Sequence, residues 1–266
     1  MSIGVIGVGV VGRAVYQAFT EKLPSEMTYG YDKFNKEFND LPLIASSELI
    51  FVCVPTPTKG EWQDTQALVQ TFGMLKEMNY KGVVVVKSTV LPGVTEKLMD
   101  QFSMPNVVHN PEFLTANNAY EDFLKQPVLI GGKMSAMRIV SDAYRRANIG
   151  GPVNCYSSPS ITEMAKYMHN LFLATKVSFC NEIYDVCQEA KVNYEMVAHA
   201  AQMAGKIGTS HMMVPGPDGE RGFGGMCFLK DNAAFLAYAD QMEVEMDILQ
   251  ATISGNKRRR SDSTCL

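Results

Sequence analysis

The segment Gly7-Val8-Gly9-Val10-Val11-Gly12 constrains the fold of this chain more than any other. It follows an apolar run, Ile3 to Gly7, that reads as a short buried strand, and it leads into Val10 to Phe19, whose apolar residues recur at helical spacing. A strand that passes through a glycine turn directly into a helix makes three backbone demands. The first glycine permits the tight turn, the second lets a pyrophosphate approach the backbone, and the third lets the helix pack closely on the strand. Phosphate then sits at the helix N-terminus, where unsatisfied N–H groups and the dipole favour an anion. Asp32 ends the next strand candidate, Met27 to Tyr31, about twenty residues on, where a carboxylate binds a ribose 2′-hydroxyl and repels a 2′-phosphate. The pattern predicts a dinucleotide-binding unit for NAD rather than NADP, with Lys33 beside Asp32 as the one neighbour that argues the other way.

Further strands are predicted over Leu49 to Val54, Val83 to Lys87 and Val107 to His109, with helical segments between several of them. Strands alternating with helices argue for an α/β fold with a parallel, doubly wound, Rossmann-like sheet. From about Ser160 the texture changes. Residues 161–190 carry one amphipathic pattern without proline or glycine, which predicts a long helix. A helix from Tyr194 to Met203, a turn-rich loop from Pro215 to Gly225 and a last helix from about Lys230 to Ile253 complete an all-helical second half. The expected division is a Rossmann domain over 1–152, a helical domain over 153–255 and a basic flexible tail over 256–266, and 266 residues suit two domains.

Composition narrows the function classes. A content of 46% hydrophobic and 20% charged residues is that of a soluble globular protein. A net charge of -4 gives no general attraction to phosphate backbones, so nucleic acid is not an expected partner, and Lys257-Arg258-Arg259-Arg260 reads as a solvated terminal cluster. Six cysteines, at 53, 155, 180, 187, 227 and 265, form no CxxC pair and follow no secretory signal, so reduced thiols in the cytoplasm are expected. No apolar run is long enough to suggest a membrane span, and no metal site is implied.

Gly222-Phe-Gly-Gly-Met-Cys227-Phe-Leu-Lys-Asp231 sets a thiol at the end of a glycine-rich loop and the start of a helix. The helix dipole and nearby Lys230 would lower a thiol pKa from its usual value of about 8.5, which makes Cys227 a candidate nucleophile. Cys53, Cys180 and Cys187 stand in apolar strand or helix settings that suit inert core thiols. The Cys227 loop resembles the catalytic loop of the UDP-glucose/GDP-mannose dehydrogenase family. Val54-Pro-Thr-Pro57, Ser88-Thr-Val-Leu-Pro-Gly93, Asn110-Pro-Glu-Phe-Leu114 and Glu163-Met-Ala-Lys166-Tyr-Met-His-Asn170 resemble other family segments in the expected order, and the similarity covers about residues 1 to 255.

This resemblance implies oxidation of the C6 alcohol of a nucleotide sugar to a carboxylate, with two NAD and one active site. Cys227 would form a thiohemiacetal and then a thioester, Glu112 would be the general base for water, Asp231 would help orient that water, and Lys166 and Asn170 would stabilise the oxyanion. These residue types suit those roles, and a helix presents Lys166 and Asn170 on one face. By the same resemblance Val54, Pro55, Thr56, Ser88 and Thr89 would line the dinucleotide, with Thr89 near the nicotinamide. Glu112, Phe113, Leu114, Lys166 and Asn170, with Arg221, Gly222, Phe223 and Gly224, would contact substrate. The long helix 161–190 would form a homodimer interface, although its apolar positions Met164, Met168, Leu171, Thr175 and Phe179 equally suit burial within one subunit.

The sequence also departs from the family. Members usually continue for ~100 residues or more into a third domain, about the size of an ordinary domain, whereas this chain stops soon after Asn256. Ala116 replaces a frequent glutamate, His211 stands near the expected place of an arginine, and Leu229 occupies a position where proline is common. Two other readings therefore stay open. One is a β-hydroxyacid dehydrogenase, which performs a single oxidation and needs no thiol. The other is a non-catalytic NAD-binding module, or one half of a two-component enzyme.

Overall fold

The computed structural model describes residues 1–60 and 62–260. In chain order its elements are β1 (Ser2–Ile6), α1 (Val10–Lys22), β2 (Met27–Tyr31), α2 (Leu41–Ile44), β3 (Leu49–Val52), β4 (Thr58–Lys59), β5 (Trp62–Gln63), α3 (Gln66–Glu77), β6 (Val83–Val86), α4 (Val94–Phe102), β7 (Val107–His109), a 3-10 turn (Ala116–Asn118), α5 (Ala119–Lys125), β8 (Val128–Gly132), α6 (Met134–Ala147), β9 (Val153–Tyr156), α7 (Pro159–Glu189), α8 (Tyr194–Met203), α9 (Met226–Asp240) and α10 (Asp247–Arg259). They fall into two compact units, one of Met1–Pro57 with Gln63–Lys166, the other of Thr58–Trp62 with the chain from Tyr167 onward.

The first unit is built on a seven-stranded sheet of order β2-β1-β3-β6-β7-β8-β9. Its pairings are parallel except for β7 with β8. Successive side chains on a strand point to opposite faces, and both faces here are covered, so the central strands read as unbroken apolar runs. Leu49, Phe51, Val83 and Val85 enter one core with Phe19 of α1, Phe123 of α5 and Tyr144 of α6. Ile50, Val52, Val84 and Val86 enter the other with Ile44, Leu68, Phe72 and Leu98 of α2, α3 and α4. On the first face Phe19 meets Phe51 at 5.2 Å and Tyr144 at 5.6 Å between ring centroids. The strand order reverses between β1 and β3, and ligands of open α/β sheets bind at the carboxyl ends flanking such a switch point. Gly7, Asp32 and Val54 follow β1, β2 and β3 at that edge.

In the second unit Cys180 and Cys187 of α7 pack with Tyr194 and Ala198 of α8 and with Met212 and Val214 of the following loop. Asn193 caps α8 by accepting the Met196 N–H at 3.0 Å. The Tyr194 hydroxyl donates to the Met212 carbonyl at 2.7 Å, which ties the loop down.

Four expectations need correction. The boundary at 152 would cut the sheet, because β9 pairs with β8 from Val128–Val153 to Gly131–Tyr156, and the first compact unit runs on to Lys166. The second half is thus not wholly helical. β9 is half-buried at Val153 and exposed from Asn154 to Tyr156, and it carries no apolar run to betray it. The last helix is two helices: α9 ends where Met242 and Val244 both donate to the Ala239 carbonyl and Glu243 turns left-handed at φ 58, without glycine or proline to signal the break. Finally, residues 256–260 are no solvated tail, since α10 runs to Arg259 and both Asn256 and Arg260 are buried. Residues 261–266, Cys265 among them, lie outside the described part.

Candidate active site

The glycine turn has the geometry its sequence predicts. A Cβ on Gly12 would stand 2.0 Å from the Gly7 carbonyl oxygen, so only glycine lets α1 leave β1 this closely, whereas a Cβ on Gly9 would meet open space. Gly9 is the N-cap of α1 and supplies no side-chain acceptor, which leaves the first N–H groups of the helix to an external anion. Val10, at the head of α1, is exposed beside them, and Val11 is half-buried. One Asp32 carboxylate oxygen accepts the Val8 N–H at 2.8 Å, and the other accepts Phe34 at 2.8 Å and Asn35 at 3.1 Å, so the acid is locked at the end of β2. A cleft of about 340 Å³ opens here, lined by Gly7, Asp32, Lys33, Val54 and Pro55 with Thr71 of α3 among others. The open side of Gly9, the uncapped helix end, the fixed carboxylate and the cleft together fit a dinucleotide.

The loops after β3 and β6 are tied to each other. Thr56 donates to the Thr89 carbonyl at 2.6 Å, Gln63 to the same carbonyl at 3.0 Å, and Ser88 to the Val54 carbonyl at 2.6 Å. Beyond β7, Lys166 donates to the Glu112 carbonyl at 2.5 Å and reaches a Glu112 carboxylate oxygen at 3.3 Å, while the other oxygen accepts the Leu114 N–H at 2.6 Å. The ammonium also lies 5.1 Å from the centroid of the Phe113 ring. Below them Lys87 is buried, donates to the side-chain and main-chain oxygens of Asn110 at 3.0 and 3.2 Å, and is pushed down to about 8 by that burial. Burial drives the Cys53 thiol the other way, up to about 12, which agrees with an inert role. Cys180 and Cys187 are buried as expected.

Glu163, which the sequence offers only as part of a motif, has a distinct structural task. Its carboxyl accepts the Gly93 N–H at 2.7 Å and the Thr95 N–H at 3.0 Å and so caps α4. Burial pushes it up to about 7, against these two hydrogen bonds, with Glu96 adding to the rise.

In the second unit Asn170 donates to a carboxylate oxygen of Asp231 at 2.7 Å, and both side chains are buried. Lys230 pairs with the other oxygen of Asp231. Cys227 is exposed in the first turn of α9, directly after the glycine loop. The loop is held from two helices. Asn181 of α7 accepts from Arg221 at 2.7 Å and from the Gly222 N–H at 3.1 Å, and Arg221 pairs with Asp185 at 2.5 Å and covers the Tyr184 ring at 4.8 Å. Arg221, expected to meet substrate, thus has its guanidinium engaged in anchoring. Asn256 of α10 binds both the N–H and the carbonyl of Phe223, each at 2.8 Å. The sequence reading missed Asn181, Asn256 and Arg260, because a lone amide or a terminal arginine carries no local signal. His211 turns left-handed at φ 61 with its ring 5.7 Å from that of Phe228. Burial, then Lys176 and His169, hold its imidazole below the ordinary value. Leu229 is half-buried in the first turn of α9, and Ala116 opens the 3-10 turn.

Residues 160–258 match the model of the UDP-glucose/GDP-mannose dehydrogenase family, central domain, and residues 26–148 match the same family's NAD binding domain. The chain belongs to this family. Its first unit is accordingly an NAD-binding domain. A UDP-glucose 6-dehydrogenase of Rhizobium meliloti (strain 1021) is 30% identical over 230 residues, covering 82% of this chain and 52% of the relative. This member of the family therefore spans about half the length of the curated relatives it matches. The solved structure of a UDP-glucose dehydrogenase from the hyperthermophilic archaeon Pyrobaculum islandicum superposes with a TM-score of 0.85 at 26% identity, covering 97% of this chain and 68% of that one. A 3-hydroxyisobutyrate dehydrogenase of Mycobacterium tuberculosis superposes at 0.80 with 12% identity, over 98% of this chain and 94% of that one, which shows a shared fold alone. Among the described residues no helix is long and apolar enough to cross a membrane.

Proposed function

We propose that this chain carries the catalytic machinery of an NAD-dependent nucleotide-sugar 6-dehydrogenase of the UDP-glucose type. The observation that carries this reading is an exposed cysteine in the first turn of α9, behind an anchored glycine loop, in a chain that also holds a buried Asn170–Asp231 pair and the Glu112–Lys166 pair. NAD, when bound, accepts a hydride in each of two oxidations. In the first, C6 of the sugar loses a hydride and its hydroxyl a proton, which leaves an aldehyde. The Cys227 thiol then adds across the aldehyde carbonyl, its proton passing to the oxygen, and the resulting thiohemiacetal gives up a hydride from carbon and its hydroxyl proton to become a thioester. Water, deprotonated by Glu112 and oriented by Asp231, attacks the carbonyl, the carbon–sulfur bond breaks, and the acid's proton passes to the departing sulfur, which leaves a carboxylate and the Cys227 thiol. Lys166 and the second amide N–H of Asn170 supply donors for the oxyanion, a type of contact worth several kcal/mol when the donors are fixed in advance. Thr89, held through its own carbonyl, is the residue we assign to the nicotinamide end, and Phe113, Leu114 and the Gly222–Gly224 loop to the sugar. A nucleophilic thiol needs a reducing setting, so the cytoplasm is part of this reading.

The same reading makes α7 a dimer interface. Met164, Met168, Phe172, Phe179 and Val186 leave an apolar stripe exposed along it, with Met168 at 72% and Phe172 at 65%. Leu171, assigned to that face from its spacing, is instead buried.

The direct test is NADH formation, followed by absorbance, from NAD and a panel of nucleotide sugars, with Cys227→Ser alongside. Two equivalents of NADH per sugar, abolished in the variant, sustain the proposal. Turnover that survives Cys227→Ser points to a one-step β-hydroxyacid dehydrogenase. NAD binding without turnover on any sugar leaves an NAD-binding module or one part of a two-component enzyme.

A further inference from the structure

We infer that Asn256 and Arg260, in the last described turn of the chain, position the glycine loop that precedes Cys227. The inference rests on the dehydrogenase reading only for what the loop finally serves. Five glycines between 216 and 225 give this loop a large conformational freedom that must be removed if the residue after it is to be aimed. Asn256 fixes both polar groups of the Phe223 backbone, and a Cβ on Gly222 would stand 2.3 Å from its side-chain oxygen. The Arg260 guanidinium lies against Gly224, where a Cβ would stand 2.4 Å from Nη2, 2.6 Å from Cζ and 2.9 Å from Nη1. The same guanidinium donates to Asp218, at the far end of the loop, at 2.7 Å, and holds that carboxyl below its ordinary range. One planar cation thus bridges the two ends of the loop.

The support beneath these two residues is itself fixed. Leu249 and Thr252 of α10 are buried, and Thr252 meets the Thr175 hydroxyl of α7 at 3.2 Å. Arg259 reaches Asp185, the acid that also pairs with Arg221 at the front of the loop. The basic run is therefore divided: Lys257 and Arg258 are exposed, Arg259 pairs with Asp185 of α7, and Arg260 is spent on the loop. Arg260 acts through Gly224, three residues ahead of the thiol.

The test reads the thiol itself and needs no turnover. In a Cys155→Ser background, which removes the other exposed described thiol, iodoacetamide labelling of Cys227 is followed by peptide mass spectrometry. Arg260→Ala is expected to slow labelling near neutral pH by about fivefold or more and to move its pH profile upward, because the helix N–H groups that favour a thiolate no longer converge on a wandering first turn. General loosening of the protein predicts the opposite, faster labelling. Gly224→Ala, whose methyl would displace the guanidinium, should slow labelling similarly, and adding it to Arg260→Ala should do little more, since both break one contact. If Arg260→Ala does not fold, Gly224→Ala and Arg260→Lys, which keeps the charge but loses the plane, carry the same comparison. Labelling at the parent rate in the folded variants, or fully additive effects, overturns the inference. Where the parent turns over a nucleotide sugar, the variants should lose kcat with the KM for NAD unchanged. Where it turns over none, the dehydrogenase reading fails and the labelling result still decides this one.

Discussion

Glu163 shows how one buried acid makes stability depend on pH. Its folded pKa of about 7 lies above the ordinary 4.5, so between these values the folded chain holds a proton that the unfolded chain has released. The associated stability is complete below 4.5 and is lost as pH rises through 7, up to about 3 kcal/mol at about 1.4 kcal/mol per pKa unit. Urea unfolding of the parent and of Glu163→Gln at pH 5 and pH 8 checks this: the parent's advantage over the variant should shrink by that order at the higher pH. A second prediction concerns Asp32, which three backbone N–H groups hold in place. Asp32→Ala should weaken NAD binding by calorimetry about ten- to a hundredfold, the range expected for losing hydrogen bonds to a charged group. Asp32 and Cys227 were legible in the sequence because each sits at a fixed distance from a glycine pattern. Asn181, Asn256 and Arg260 were not, because the loop groups they hold lie some thirty to forty residues away in the chain.

At the scale of elements, the strands that carry two buried faces were the readable ones. Leu49–Val52 and Val83–Val86 announce themselves as apolar runs, and α7 by its length. β9 and the break between α9 and α10 were hidden, one by exposure at the sheet edge and the other by a stop made from backbone hydrogen bonds alone. The elements are also where packing predicts a measurable cost. Phe19 joins α1 to β3 and α6 through rings at 5.2 and 5.6 Å and is fully buried. Phe19→Ala should destabilise the first unit by about 3 to 5 kcal/mol, the usual range for removing a buried aromatic ring. Differential scanning calorimetry should show the loss as a lowered Tm.

For the whole molecule, the exposed stripe of α7 is the feature that most constrains assembly. Light scattering at micromolar concentration should give the mass of a dimer, and Phe172→Asp, at a position 65% exposed, should shift it to monomer with the fold retained by circular dichroism. The division into two units was visible as a change from alternating elements to unbroken helical periodicity. Its position was not, because the sheet takes in a seventh strand before α7 begins. Heredity gives the buried end of α10 another meaning. A nonsense change just after Ile253 would spare every side chain assigned to chemistry here, from Asp32 to Asp231, and would look harmless on a map of catalytic residues. Yet it would delete Asn256 and Arg260, so such an allele should read as loss of function in a gene whose active-site codons are all intact.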